Sequence, residues 1–539
     1  MPPAVGCRLF TEDGFLSGST SSPIDDAQPL PPVISRLLRG TFWLALRTPL
    51  QSVFALWSVP LIVGTVGKGQ YGAFGFAWGF GFLQFLLEFG MSSAIQKEVS
   101  ACWTRGDRRG VDRAVACGMN FYAVVALIQM VALLGIAYFG IPSTWSPDEH
   151  RLIVRLLWLQ ALTAPCFGLT TVVSAVLQAA RRYDVLPRFE LAIVILRFVV
   201  LYAGLRLEYD FFWVVAAQTA VGIGLGLAPA LWIVSRELGY RLPIRGAGPS
   251  DYAKLIHIST YMFLIQLSVV LADKIDTAIL GYALKKPADA VATYMAVSKP
   301  FLQLRQTGWM LAYLVMPAVA SLAAARDEAA LERIKYDGTR LLVALVLPAG
   351  LLAAIYAHPF LKLWVPEFAA DYRLMQLFLI AALPLVLSVL VQMAIGMNAI
   401  KVVAFAALAG SVVNLPLSYY LTLKLGVSGV IWGTVLTTLA SNLLVPGVHV
   451  FRVLQIRLGT FLSRSLGAPL AGAALLVAAS LAMQATWSAE PGAGPVLARA
   501  WPLVAHLTVA MLAYLIGYLA VPSGRGDGKI LAARFLRRG

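Results

Sequence analysis

Fourteen apolar stretches, each long enough to cross a bilayer, leave this chain few alternatives. About 20 apolar residues span the hydrocarbon core as an α-helix, and inside lipid only helices or closed barrels satisfy their own backbone hydrogen bonds. The stretches run over about 41–66, 73–96, 114–140, 152–180, 190–206, 211–234, 255–283, 290–322, 341–360, 374–398, 402–422, 427–449, 465–486 and 501–521. The fifth is short and interrupted by Arg197. Only 13% of residues are charged and 59% are hydrophobic, with a mean hydropathy of +0.76, whereas soluble domains carry about 25% charged residues. The fold expected is an all-α polytopic membrane protein of about 14 transmembrane helices. Residues 1–32 lack the apolar core of a signal peptide and read as a tail, and Val33 to Gly40 as a short basic lead-in to the first span.

Loop charge tests that count. If the N-terminus is cytoplasmic, the cytoplasmic loops and both tails hold 28 Lys and Arg, and the opposite side holds 9. Such a split on short loops is a strong orientation signal, and a missing span would scramble it. Both termini are therefore expected in the cytoplasm. The formal net charge of +16 points to orientation and to anionic lipids or substrate rather than to nucleic acid, for which no motif is present.

The chain repeats. Pro165 and Pro384 each precede an apolar run, one ending in Gln178-Ala-Ala-Arg181 and the other in Asn398-Ala-Ile-Lys401. Trp213 and Trp432 follow at the same separation, Gln218-Thr219 lies opposite Thr437-Thr438, and Tyr71 opposite Tyr294. Equivalents six spans apart enter the membrane in the same direction. The expected arrangement is two six-helix lobes related by a parallel repeat, a transporter design, plus two C-terminal helices. Expected boundaries are a tail 1–40, a first lobe 41–234, a linker 235–254, a second lobe 255–449, the pair 450–521 and a basic tail 522–539.

No GxxxxGK[ST], HExxH or GxSxG occurs, so ATP-driven transport by this chain alone and the corresponding hydrolase chemistries have no sequence support. The four cysteines lack metal-ligand spacing and the five histidines are scattered. Gly64-Thr-Val-Gly-Lys-Gly-Gln-Tyr-Gly superficially resembles a phosphate loop but follows a spanning helix on the outer face, where a tight turn is the expected role. No cofactor is expected.

Charge inside the membrane is the informative feature, because it is expensive there and marks function by default. The cations are Arg47, Arg155, Arg197, Lys274, Lys299 and Arg305; the carboxylates are Glu88, Glu190, Asp273 and Asp276. Lys299, Gln303 and Gln306 share a helix face, as do Arg47 with Gln51 and Gln84 with Glu88. Several have a plainer alternative, though Lys299 and Arg305 lie deeper and are harder to explain away. Arg155 and Arg47 lie near segment ends and could snorkel, Glu190 could favour a helix N-terminus, and Arg197 could pack on a carbonyl or on Glu190. Asp273, Lys274 and Asp276 could form a static brace. Cations in excess of carboxylates suit an anionic ligand, Arg by bidentate contact with phosphate and Lys as a point charge.

Three stretches resemble the polysaccharide-export flippase family (Wzx-type, within the multidrug/oligosaccharidyl-lipid/polysaccharide exporter superfamily). They are Gly69-Gln-Tyr-Gly-Ala-Phe through Glu88-Phe-Gly-Met-Ser-Ser-Ala to Val99, then Asp273-Lys-Ile-Asp276-Thr-Ala-Ile-Leu-Gly-Tyr282, and Leu425-Gly-Val-Ser-Gly-Val-Ile-Trp-Gly-Thr434. The resemblance covers about 40–460 and departs in having Glu88 where the family often has Asp. It implies alternating access of two six-helix lobes, a cationic cavity, and an undecaprenyl-pyrophosphate-linked oligosaccharide turned to the outer leaflet of the bacterial inner membrane. The resulting expectation is a non-enzymatic flippase, its lobes rocking about the linker. Arg47, Arg197, Lys299 and Arg305 would bind pyrophosphate. Glu88, Asp273, Lys274 and Asp276 would gate or couple to a proton or sodium ion. Expected partners are the lipid-linked oligosaccharide, anionic lipids and polysaccharide polymerase or export machinery. The rivals are a cation-coupled multidrug exporter, which needs an acidic cavity; a membrane glycosyltransferase or ligase, which needs a large outer loop or acidic motif; and a scaffold of a glycan-assembly complex.

Overall fold

The computed structural model describes residues 32–182, 185–256, 259, 263, 267, 275–313, 315–397, 399, 401–491 and 495–536. The first 31 residues, Asp273 and Lys274 lie outside them. The described residues are helical throughout, with no strand.

The first half begins with α1 (Pro32–Gly79), which Gly67 divides by a backbone at φ 80° and ψ 171°. That conformation is open to glycine and strained for other residues, and it turns the first pass into the second. The second pass continues through α2 (Phe82–Glu88) and α3 (Met91–Thr104). The next passes are α4 (Arg108–Gly135), α5 (Pro147–Ala179), α6 (Val185–Arg206) and α7 (Phe211–Trp232). Local sequence sets their starts. Asp107 caps α4 and Asp210 caps α7, while Ser146-Pro-Asp-Glu149 gives α5 a full capping box with proline in its first turn.

In the second half come α8 (Asp276–Ala283), α9 (Pro287–Tyr313), α10 (Val315–Ala324), α11 (Glu328–Arg333), α12 (Thr339–Ile355), α13 (Ala357–Trp364), α14 (Tyr372–Ile380) and α15 (Ser388–Gly396). They are followed by α16 (Lys401–Leu425), α17 (Val427–Thr438) and α18 (Val445–Val453). The C-terminal pair is α19 (Leu458–Phe461) with α20 (Gly467–Thr486), and α21 (Val496–Ala520); α22 (Pro522–Leu536) closes the chain.

Ten helical stretches among the described residues are long and apolar enough to cross a membrane. One, Pro49–Glu88, contains the Gly67 turn and serves two passes. α6 carries Arg188, Glu190 and Arg197, and the α9–α10 pass carries Lys299 and Arg305; charge, not length, sets these apart. Every expected pass is then accounted for except the seventh, most of which lies outside the described residues. The repeat-related prolines behave differently. α5 runs unbroken through Pro165, whereas Pro384 sits in a short 3₁₀ turn that splits the tenth pass.

The apolar cores show how the halves meet. One core takes residues from both: Val59 to Phe80, Leu133 to Ala161 and Leu201 to Val215 from the first, Leu280 to Phe301, Ala357 to Ala381 and Val430 to Val435 from the second. All lie toward the end of the bundle that carries the Gly67 turn. Toward the other end each half has its own core, built from residues 91–255 in the first and 312–461 in the second. Among the described residues the halves share a core at one end and have separate cores at the other.

The linker is no free strap. Tyr240 donates a hydrogen bond to Asp112 at 2.8 Å, Arg182 pairs with Glu237, Asn120 donates to Tyr252 at 3.0 Å, and Lys254 pairs with Glu98 at 2.6 Å. Leu255 is buried in the first half's core and Phe263 stacks on Phe89 at 3.9 Å, whereas Asp276 bonds within the second half.

The C-terminal pair packs on the second half through α12, α13 and their neighbours. α22 is held there by Arg340, whose guanidinium grips Asp527 with two bonds of 2.7 and 2.8 Å and reaches Asp337 at 3.0 Å and the Arg464 carbonyl at 3.1 Å. The Tyr518 hydroxyl also donates to Asp527.

Candidate functional site

Asp276 opens α8 and is 1% exposed. Its Oδ2 accepts hydrogen bonds from the Tyr294 hydroxyl of α9 at 2.7 Å and the Thr434 hydroxyl of α17 at 2.9 Å. Beside it, α16 buries Ser411, Asn414, Ser418 and Thr422, spaced three or four apart and hence on one face. Ser418 donates to the Asn414 side-chain oxygen at 2.7 Å. Gly433 brings α17 against that face: a Cβ there would fall 2.1 Å from the Ser418 oxygen. A buried carboxylate that accepts from two hydroxyls has the chemistry to take up a proton or a small cation, and either relieves the cost of its charge.

In the first half, Glu88 ends α2, is 4% exposed, and accepts from the Tyr122 hydroxyl of α4 at 3.1 Å. Arg47 forms an ion pair with Glu190 of α6 at 2.6 Å, across the α1–α6 contact, and its Nε is buried without a hydrogen bond among the described residues. Arg197 and Gln218 exchange side-chain-to-backbone bonds of 3.0 and 2.8 Å between α6 and α7, and the guanidinium lies against Gly222, where a Cβ would meet it at 2.1 Å.

Lys299 and Arg305 stand half-buried on α9. Lys299, Gln303 and Gln306 share a face, and the buried Oε1 of Gln303 has no hydrogen-bond partner among the described residues. At 100° per residue Arg305 lies about 120° around the helix from Lys299, over the ring of Phe301 at 5.3 Å. The four expected phosphate ligands thus occupy three elements, α1, α6 and α9, and Arg47 and Arg197 each engage a partner within the first half. The other expected gating residues besides Glu88 and Asp276, namely Asp273 and Lys274, lie outside the described residues. Among the described residues no group of three or more His, Cys, Asp or Glu is placed to hold a metal ion.

The sequence reading missed the partners of Asp276. Tyr294 and Thr434 stood out only as marks of a repeat and a motif. The three- and four-residue spacing of Ser411, Asn414, Ser418 and Thr422 was the signal that could have directed attention to this wall.

A family model described as polysaccharide biosynthesis protein matches residues 37–322, more than half of the chain. No curated protein matches it significantly. Among solved structures, the lipid II flippase MurJ in an inward closed conformation superposes with a TM-score of 0.68 at 12% identity, over 89% of this chain and 98% of that one. A multidrug resistance MATE family transporter of the MOP superfamily in an inward-facing conformation gives 0.62 at 12% identity, over 78% and 99%. At that identity the likeness is one of fold.

Proposed function

The chain belongs to the polysaccharide biosynthesis protein family, and from that premise we propose that it flips an undecaprenyl-pyrophosphate-linked oligosaccharide from the inner to the outer leaflet of the bacterial cytoplasmic membrane, for surface polysaccharide biosynthesis. The observation that carries this reading is the division of the cores. A pair of halves fused at one end and separate at the other is what alternating access requires, since a cleft can then be offered to one side at a time. Loop charge orients the separate end toward the cytoplasm, the side on which the substrate is made. The fold shared with a lipid II flippase supports a lipid-linked cargo, and the shared fold of MATE transporters supports the mode of motion.

In this mechanism the pyrophosphate enters the cleft and meets Lys299 and Arg305 of α9, with Arg47 and Arg197 on the opposite half. The lipid tail stays in the bilayer. Asp276 couples the cycle: its charge changes as it takes up or releases a proton or sodium ion, and Tyr294 and Thr434 follow, shifting α8 against α9 and α17. A ligand shifts such an equilibrium only by its differential affinity for the two states. The protein is a transporter rather than an enzyme, and polymerase or export machinery would act on its product.

The test is to delete the protein and identify the lipid-linked glycan that accumulates on the cytoplasmic side. Accumulation with loss of surface polysaccharide is the expected result. Unchanged surface polysaccharide with lost drug resistance would establish the multidrug-exporter alternative instead.

A further inference from the structure

The Gly67 turn does more than reverse the chain. It delivers Lys68 into the second half, where the ammonium donates to the Glu367 carbonyl at 2.6 Å and stands 4.6 Å from the centre of the Phe368 ring. From the other side, the Trp364 indole at the end of α13 donates to the Leu56 carbonyl of α1 at 3.0 Å. The two bonds run in opposite directions between the halves, and both accept at main-chain oxygens, so neither depends on the ionisation of a side chain in the other half. Residues 357–371 accept one and donate the other, and the same segment is tied to the C-terminal pair by His358 and Lys362, each 2.7 Å from Glu490.

Below these bonds the halves pack closely at three glycines, one against main chain and two against side chains. A Cβ on Gly72 would fall 2.0 Å from the Ala288 carbonyl oxygen, one on Gly75 1.8 Å from the Met295 sulfur, and one on Gly281 2.2 Å from the Phe76 ring. Tyr282 closes over Phe76 at 5.5 Å between ring centroids.

We propose that Lys68 and Trp364 form a reciprocal latch that holds the outer mouth of the cleft shut, and that its release sets how often that mouth opens. The proposal rests on the alternating-access reading and adds to it the residues that must part. Opening breaks a charge-assisted bond, a cation–π contact and an indole bond together, then separates the glycine seam.

The experiment uses the full chain with its four cysteines replaced by alanine and one new thiol, Ala288→Cys, which faces Gly72 in the seam. Labelling by a membrane-impermeant maleimide is timed on intact cells. Lys68→Met, which keeps the stem, and Trp364→Phe, which keeps the ring, should each speed labelling about 5- to 10-fold, and the pair more. Lys362→Met, which breaks only the tie to Glu490, should leave the rate unchanged. Unchanged labelling in both latch variants overturns the proposal, as does equal acceleration by Lys362→Met, which would mean general loosening. The assay needs no substrate. A latch that responds in cells whose glycan export does not depend on the protein would stand while the flippase reading fell.

Discussion

Asp527→Ala offers the cleanest quantitative test of how the chain's last helix is held. Arg340 and Asp527 are 6% and 8% exposed, and the two side chains meet in the bidentate geometry that makes arginine–carboxylate pairs strong. Removing one partner of a buried pair costs about 3–5 kcal/mol, because the other charge stays buried without compensation. The lower end applies, since Arg340 keeps Asp337 and the Arg464 carbonyl. The loss falls mainly on the docking of α22, whose opening is a local event rather than global unfolding. At 1.4 kcal/mol per factor of ten, the opening equilibrium should rise roughly 100-fold. Hydrogen exchange of the amides of α22, followed in detergent or nanodiscs, reads that change directly. Arg340→Met combined with Asp527→Leu should restore most of the protection, because an apolar pair of similar volume leaves no buried charge. The acid response has a definite sign. Burial alone would raise the Asp527 carboxyl, but the bonds from Arg340 and Tyr518 outweigh it and hold the group below the ordinary aspartate range. A carboxyl depressed in the folded state contributes fully above its unfolded value, near 3.8, and loses that contribution only as pH falls through the depressed one. Wild-type α22 should therefore stay docked at pH 5. Exchange in Asp527→Ala that matches wild type at neutral pH would refute the reasoning.

Four further outcomes are expected. Asp276→Asn should abolish transport while the protein remains inserted and as heat-stable as wild type within about 2 kcal/mol, and Thr434→Val should shift the pH or sodium dependence of transport; normal transport by Asp276→Asn removes the carboxylate from coupling. Arg47→Met should destabilise the α1–α6 contact by about 1–3 kcal/mol, less than a fully buried pair because both side chains are partly exposed, and Arg47→Glu with Glu190→Arg should recover part of the loss in a thermal-stability assay. Gly72→Ala should open the seam, read as faster thiol labelling at position 288, because its Cβ would clash with the Ala288 backbone.

The number of passes was legible in the sequence because it depends on quantities that run along the chain, length and hydropathy. The Gly67 turn was visible as a turn for the same reason. What it carries was not, since Lys68 meets a carbonyl 299 residues away. The arrangement of the intramembrane charges depends on how helices are rotated in the bundle. Arg47 and Glu190, 143 residues apart, were each given a separate local explanation, and only packing makes them one pair. Arg197 was offered a carbonyl or Glu190; it takes the carbonyl, that of Gln218. Asp276 was identified from its cost in lipid, but Thr434 lies 158 residues on and arrives through the close approach at Gly433. Pro165 and Pro384 show the limit from the other side: equivalent residues in a repeat, one absorbed by an unbroken helix and one not.

The glycine seam has a consequence for the electrical life of the membrane. A carrier of a bulky polar cargo must not become a hole for small ions, because a cell that lives by its proton gradient is drained by a leak far smaller than the cargo. A closure built from side chains leaves crevices in which waters can line up and pass protons. Where backbone meets backbone, as at Gly72 and Ala288, there is no room for such a file. The absence of a Cβ at Gly72 thus gives this seam an insulating contact, and enlarging that residue should appear first as proton conductance, before any loss of transport.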